Sequence, residues 1–385
     1  MRILHTSDWH IGRTFHGHST LDALRGVLET LTSQVREHAV DVVIVAGDVF
    51  DSATPAASCY TLLTDTLRGL ADAGATVIVT SGNHDSAARL GFQAGLLREG
   101  IHVLTDPDRI STPVTVADAH GPVHFYGIPY LEPALLRHRE GGWAGARTQA
   151  AVLGHAMDLV RTDLAVRGGR SVAIAHSFVA GVEPTPHLER DIQQGGLDLV
   201  PVSAFDGVDY MALGHIHGRQ QVSERVRYAG APLHYSFGEG DKPRGSWLVE
   251  LDADGFAGAQ WLGLPVPRAL VTLRGPFEEI LTDAAHAAHA DAWVCVEYTD
   301  DLPQADPLRR LQQRFPHCAR VAHTPAVTAA SPTATYVERV RAARSDRELV
   351  EAFLEHVRAG EGASEREAEL LAEILDERVL QESHA

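Results

Sequence analysis

Lysine is almost missing from this chain of 385 residues: Lys242 is the single one, so nearly all of the 33 basic side chains are arginine. Cysteine is as sparse. Cys59, Cys295 and Cys318 lie far apart with no CxxC pair, which argues against a disulfide framework and a thiolate zinc site and leaves the thiols as buried fillers. No apolar run reaches the roughly 18 residues of a membrane span, and the opening MRILHTSDWH meets a charged residue too early for a signal peptide. These absences predict a cytoplasmic protein without membrane contact. Positive charge is in deficit as well: 33 basic against 51 acidic residues give a net charge of −18, which speaks against a free-standing nucleic-acid clamp.

Histidine is abundant, with 22 copies, and 44% of the residues are hydrophobic, as in a soluble globular protein. Short β-branched runs recur: RILHTS at 2–7, DVVIVAG at 41–47, TVIVTSG at 76–82, SVAIAH at 171–176 and DYMALGH at 209–215. Helical stretches such as LDALRGVLETLTSQVREHA separate them, which predicts an α/β layered domain over residues 1–265.

Each of these five runs ends in polar groups: TSDWH, AGDVFD, SGNHD, AHSF and GHIHG. Taken alone, Gly-Asn in GNHD is an ordinary turn signal. Loops beyond the carboxyl ends of strands, however, converge over a rigid edge, and sites gather there. Asp8, His10, Asp48, Asn83, His84, Asp85, His176, His215 and His217 supply carboxylate, imidazole and amide groups without a thiolate, a set suited to hard or borderline divalent ions and large enough for two. In an extended segment residues i and i+2 face the same side, so Asp8 with His10 and His215 with His217 can each address one site while Trp9 and Ile216 turn into the packing. A carboxylate such as Asp48 can bridge two cations with its two oxygens.

DWH, GDVFD, GNHD, AHS and GHIH, in this order, resemble the motifs of the calcineurin-like metallophosphoesterases. YAGAPLHYSFGEGDKPRG at 228–245 and the opening MRILHTSDWHIG resemble the nuclease branch of that superfamily, which acts at double-strand breaks in bacteria, archaea and eukaryotes. The branch's GSP reads Gly230, Ala231, Pro232 here, and the aspartate of its SFDE is replaced by Gly238. The resemblance implies an α/β double-sheet sandwich flanked by helices, a small α/β capping domain that binds DNA at 266–330, and a C-terminal helical tail at 331–385 that binds a partner.

It further implies one metal held by Asp8, His10, Asp48 and His217 and a second by Asp48, Asn83, His176 and His215, with manganese the expected ion. His84 would protonate the leaving group, and Asp85 would either orient His84 or cap the loop. Arg13, Arg89 and Arg219 lie near the motifs as candidate phosphate contacts or as solvated surface arginines, and His16 and His18 as candidate groove residues. The expected activities are 3′→5′ exonuclease on double strands and endonuclease on single strands or hairpins, in DNA repair, recombination and replication near the nucleoid. The expected partners are DNA, a large coiled-coil ATPase that supplies DNA-binding surface, and a second copy of the chain within a heterotetramer.

Two other readings remain. A protein phosphatase of this superfamily carries GDxxDRG and GNHE, where this chain has GDVFDSA and GNHD, and a minimal small-molecule phosphodiesterase lacks the extra domains. A non-catalytic scaffold would be expected to lose ligands, yet every expected position is filled.

After residue 265 the pattern changes. A helical segment at 277–290, the strand WVCVEYT, a helix near 306–315 and an apolar stretch before Pro325 predict the small domain, and VTAASPTA a linker. Three capping boxes, Thr335 with Glu338, Ser345 with Glu348 and Ser364 with Glu367, predict a wholly helical tail. Its stripes, Leu349, Val350, Phe353, Leu354, Val357 and Leu370, Leu371, Ile374, Leu375, Val379, suit either the chain's own core or a partner's groove.

Overall fold

A computed structural model describes residues 1–179, 199–325, 340–343, 345–358 and 362–382, with side chains up to 375. The linker VTAASPTA, the pair Thr335 and Glu338, and the Val379 side chain lie outside the described residues. The chain divides into two compact units, Met1–Ala269 and Leu270–Ala385.

Two six-stranded sheets build the first unit. One runs in the order Gly255–Gly263, Gly245–Asp252, Arg2–Thr6, Val42–Ala46, Thr76–Thr80, Ile101–Leu104. The other runs Gln220–Gln221, Val226–Tyr228, Tyr210–Gly214, Arg170–His176, Gly121–Gly127, Val114–Asp118. All five site-bearing runs are strands near the middle of these sheets, and parallel neighbours need helical crossovers, which the chain supplies as Leu21–Glu37 and Ala57–Asp72.

Alternation along each strand assigns its side chains to layers. Val42, Ile44 and Ala46 join Ile3, Ile78, Phe125, Val172, Ile174, Tyr210 and Ala212 between the two sheets. Val43 and Val45 face the other way, onto Leu24, Leu28, Leu31, Leu62 and Leu70 of the two helices. On the outer face of the second sheet, Ala173, Ala175, Met211 and Leu213 pack on Val152, Met157 and Val160 of the Gln149–Arg167 helix. Strands covered on both faces carry unbroken apolar runs.

Register then places the chemistry. Thr6 pairs with Val45, Ala46 with Thr80, and Gly214 with His176, so neighbouring strands in each sheet end level and their polar loops emerge together.

The second unit holds a parallel three-stranded sheet, Leu270–Gly275, Trp293–Tyr298 and Cys318–His323, around Leu273, Phe277, Ile280, Val294, Val296, Leu311 and Phe315. The segment expected as one helix at 277–290 is a short helix, Phe277–Thr282, followed by a 3-10 turn, Ala284–His289; Asp283 between them is extended and caps the turn by accepting from Ala285 N. Helices Asp346–Val357 and Glu365–Glu382 follow. Ser345 Oγ accepts from Glu348 N at 3.2 Å, and Ser364 exchanges bonds with Glu367 in both directions. Their apolar stripe is not core: Phe353 is 48% and Ile374 60% exposed. Among the described residues, no helix is long and apolar enough to cross a membrane.

Candidate metal centre

Four of the side chains predicted as ligands sit on strained backbone. Asp8, His10, Asp48 and His215 have φ of 54°, 44°, 48° and 104°, where a residue with a Cβ costs about 1–3 kcal/mol. The surrounding loops hold them there: Asp8 N donates to Gly47 O at 3.1 Å, His10 N to Asp48 O at 3.0 Å, and His215 N to the Asp8 carboxylate at 3.0 Å. Glycines make the room. A Cβ on Gly47 would lie 2.4 Å from His176 Nδ1, and one on Gly82 would lie 2.2 Å from Asp48 Oδ1. Gly82 does not adopt positive φ, so it is required for this close approach rather than for the bend.

These loops bring the predicted ligands to one place. His10 Nε2 lies 3.0 Å from His217 Nε2, a separation at which two imidazole nitrogens need a proton or a cation between them. Asp48 Oδ2 is 3.3 Å from His176 Nε2 and 3.6 Å from His10 Nε2. Asn83 Oδ1 is 3.0 Å from His176 Nε2 and 3.1 Å from His215 Nδ1. Three overlapping sets, Asp8–His10–His217, His10–Asp48–His84 and Asp8–Asp48–His176, each put their ligand atoms within 4.8 Å of one another. His176 Nδ1 lies 3.0 Å from the Ala46 carbonyl, which only accepts. That fixes the proton on Nδ1 and, in the neutral ring, the lone pair on Nε2. The donor set fits divalent cations, with imidazole, carboxylate and amide groups and no thiol.

The electrostatics divide the ligands by burial and by the charges beside them. Burial lowers His10 to about 4, despite the nearby Asp51 and Asp48 carboxylates. Burial and the neighbouring His176 lower His215 to about 3. Both rings are therefore neutral and able to ligate at neutral pH. Burial would lower His176 too, but the Asp48 carboxylate outweighs it and raises the ring to about 9. Burial raises Asp8 against the pull of His176 and His217, whereas Asp48, equally buried, is held well below the usual range by His176.

The other expected residues fare differently. His84 stands edge-on to His10, ring centroids 4.8 Å apart, with Nδ1 3.0 Å from Asp51 O. Asp85 does not steady that ring. Its oxygens accept from Gly82 N at 2.9 Å, Val49 N at 3.0 Å and Phe50 N at 2.8 Å, so of its two possible roles it fills that of the loop cap. Burial and the Asp48 charge push its carboxyl up to about 6 against those three bonds. Arg13 is committed to Asp51 at 3.1 Å and to the Tyr235 ring, and Arg219 lies over Trp261. Arg89 is exposed. His16 packs on Phe15 and Phe237, and His18 pairs through its backbone with Phe15.

Sequence reasoning missed three residues. Asp51 Oδ1 lies 3.4 Å from His10 Nδ1, and Glu239 Oε1 lies 3.5 Å from His217 Nδ1. Arg244 Nη2 is 3.1 Å from Glu239 Oε2. A signal exists for two of them, since Asp51 closes GDVFD and Glu239 closes SFGE, but no spacing in the chain assigns either carboxylate its partner.

Residues 1–219 match the family model described as calcineurin-like phosphoesterase, and residues 266–358 the one described as type 5 capsule protein repressor C-terminal domain. The chain is 30% identical over 336 residues, 81% of each chain, to the SbcD subunit of nuclease SbcCD from Escherichia coli strain K12, and equally to that from Escherichia coli O157:H7. Among solved structures it is similar to a dimetal phosphatase from Danio rerio, at 13% identity, with 69% of this chain and 99% of that one covered and a TM-score of 0.41. With more than half its length matched by the family model and most of it by these relatives, the chain belongs to the calcineurin-like phosphoesterases, in the SbcD branch.

Proposed function

We propose that this chain is the metal-dependent DNA nuclease component of an SbcCD-type complex, exonucleolytic 3′→5′ on double-stranded ends and endonucleolytic on single strands and hairpins. Its processes would be DNA repair, recombination and replication. The observation that carries the reading is the convergence of side chains from five strand ends on one centre, in a chain similar to the SbcD subunit of nuclease SbcCD.

Asp8, His10, Asp48 and His217 would hold one divalent cation and Asp48, Asn83, His176 and His215 another, with Asp48 shared and manganese as the proposed ion. Bound cations at such a site supply charge neutralisation at the phosphoryl oxygens and an activated water. The protein's own part is proton transfer and positioning. The His84 ring, its Nδ1 fixed on Asp51 O, leaves Nε2 free of that bond. As imidazolium it donates a proton from Nε2 to the sugar oxygen as the P–O bond breaks. Asp85 contributes by bonding the two motif loops together.

Residues 1–265 would be the nuclease domain, 266–330 the DNA-binding cap, and 331–385 the segment that binds an SbcC-type ATPase. The net charge of −18 makes a partner that supplies DNA-binding surface physically reasonable. Half-exposed Leu349, Phe353 and Leu370 suit docking on that partner, and Phe92 and Leu96, 74% and 81% exposed, suit a homodimer contact.

The test is to incubate the purified chain with Mn²⁺ and end-labelled duplex DNA, with and without the ATPase. Cutting abolished by EDTA and restored by Mn²⁺ is expected. Intact DNA with the wild-type chain, or undiminished cutting by His84→Gln, would refute the proposal.

A further inference from the structure

The four imidazoles at the centre are backed unequally. His217 Nδ1 faces the Glu239 carboxylate at 3.5 Å, and His10 Nδ1 faces Asp51 at 3.4 Å. His176 Nδ1 has only the Ala46 carbonyl, and His215 Nδ1 is turned toward Asn83. Both rings of the Asp8–His10–His217 position are thus backed by a carboxylate, whereas in the other position His176 is backed by a carbonyl and no carboxylate stands behind His176 or His215 among these contacts.

Glu239 is fully buried and sits in the short 3-10 turn Phe237–Glu239. Its Oε2 lies 3.1 Å from Arg244 Nη2 and accepts from Tyr235 N at 3.3 Å, while Oε1 has no hydrogen-bond partner and lies 3.5 Å from His217 Nδ1, itself buried and unbonded. Arg244 Nη1 donates to His217 O at 2.5 Å and Ala231 O at 3.2 Å. One buried ion pair therefore grips His217 at both ring and backbone. A purely structural Glu239–Arg244 pair would account for Oε2 but not for a desolvated Oε1 beside an imidazole.

We propose that Glu239 is the positioning residue of His217, and that carboxylate backing of His217 and His10 makes the Asp8–His10–His217 position the tighter of the two metal positions. This rests on the two-metal reading above. A carboxylate behind an imidazole fixes the Nδ1–H tautomer, aims the Nε2 lone pair outward and raises its basicity. The ligands themselves point the same way, since this position has Asp8 and Asp48 where the other has Asp48 and the neutral Asn83. Arg13 shares Asp51 through the oxygen that faces His10, whereas Arg244 takes the opposite oxygen of Glu239. Glu239 is accordingly the stronger of the two backing groups.

Calorimetric titration of the metal-free full chain with Mn²⁺ tests this. Wild type should show two separable steps, and His215→Ala should lose only the weaker. Glu239→Gln should weaken the tighter step about 10- to 100-fold, the usual effect of losing such a partner, and leave the weaker step within about threefold. Arg244→Met, which keeps the carboxylate but removes the backbone grip on His217, should weaken the tighter step less than Glu239→Gln does, whereas a merely structural ion pair would give equal losses from either side. Histidine ¹⁵N shifts should move the His217 proton from Nδ1 toward Nε2 in Glu239→Gln. Should Glu239→Gln or Arg244→Met not fold, Asp51→Asn must weaken the same step, by less. Two equal steps in wild type, or equal weakening of both steps by Glu239→Gln, overturns the proposal. No Mn²⁺ binding at all overturns instead the metal-dependent reading on which it rests.

Discussion

The two compact units differ in where they leave their unsatisfied groups. In Met1–Ala269 every residue of Val42–Ala46 and Arg170–His176 is buried, and four of the polar groups at the strand ends, Asp8, His10, Asp48 and His215, stand on backbone held at positive φ. In Leu270–Ala385 Asp306 is the one non-glycine at positive φ among the described residues, while the terminal helices keep Leu349, Phe353, Val357, Leu370 and Ile374 between 40% and 60% exposed. Strain at a chemical centre and exposed apolar surface are different costs, and each is retained where the fold gives something else in return. On the proposed reading, the first unit would hold ions and protons and the second would meet other molecules.

Removing the shared carboxylate breaks this comparison most severely. Asp48→Ala deletes the group that lies near His10 and His176 at once. Metal content should fall below two ions per chain and cutting should fall by about 10⁴-fold, the scale of several kcal/mol of lost charge stabilisation. Retention of both ions, measured by metal analysis, would transfer the bridging role to Asp8.

His84→Gln comes next. Cutting should fall by about 10²–10³-fold, the usual contribution of a general acid, with metal content unchanged. His84 also lies within ligating reach alongside His10 and Asp48. Loss of an ion in this variant would make His84 a ligand rather than a proton donor, so the paired measurements separate the roles.

Gly82→Ala tests whether the site depends on close approach rather than on chemistry. Its Cβ would meet Asp48 Oδ1 at 2.2 Å and Asp48 N at 2.3 Å, and the backbone atom cannot swing aside. A loss of about 1–3 kcal/mol is expected, as for overpacking elsewhere, together with weaker metal binding. Urea unfolding with and without Mn²⁺ reads both.

A smaller effect comes from pH. In the metal-free chain His10 and His215 are lowered to about 4 and about 3, against about 6.5 when unfolded. Between pH 6.5 and 4 the unfolded chain therefore binds protons that the folded chain does not, and stability falls as pH falls, by about 1.4 kcal/mol per pH unit for each ring. His176, raised to about 9, acts in the opposite sense: its contribution is present below 6.5 and is lost as pH rises through 9. Thermal melts in EDTA should peak near pH 6.5, and His215→Ala should flatten the acid limb.

What the sequence revealed follows the range of the interactions. The five strands and their polar ends were legible because each is a local pattern, an apolar run closed by Asp, Asn or His; the extended i, i+2 alternation expected for Asp8–His10 and His215–His217 is not what brings them together, since Asp8, His10 and His215 lie beyond the strand ends at positive φ. Glu239 behind His217 and Asp51 behind His10 join residues distant in sequence, and no local pattern announces such a pair. Asp85 stayed open between two roles because both use a carboxylate next to His84, and only the position of the Val49 and Phe50 amides decides. The exposed face of the last helices was equally hidden, since a stripe of period 3.6 reads the same whether it packs on its own core or on another chain.

The last prediction concerns that stripe, and its direct effect on the chain is the smallest. Phe353 is 48% exposed, with Leu349 and Val357 a turn away on either side. Phe353→Asp removes little buried area, so unfolding stability should change by no more than about 0.5 kcal/mol, as for surface substitutions in general. Metal-dependent cutting of short substrates by the isolated chain should be unaltered. Capture of the coiled-coil ATPase in co-purification should nevertheless fall at least tenfold, because a carboxylate would be buried without a partner in an apolar contact. Unchanged capture would show that the partner grips another surface, and the second unit would lose the role that sets it apart from the first.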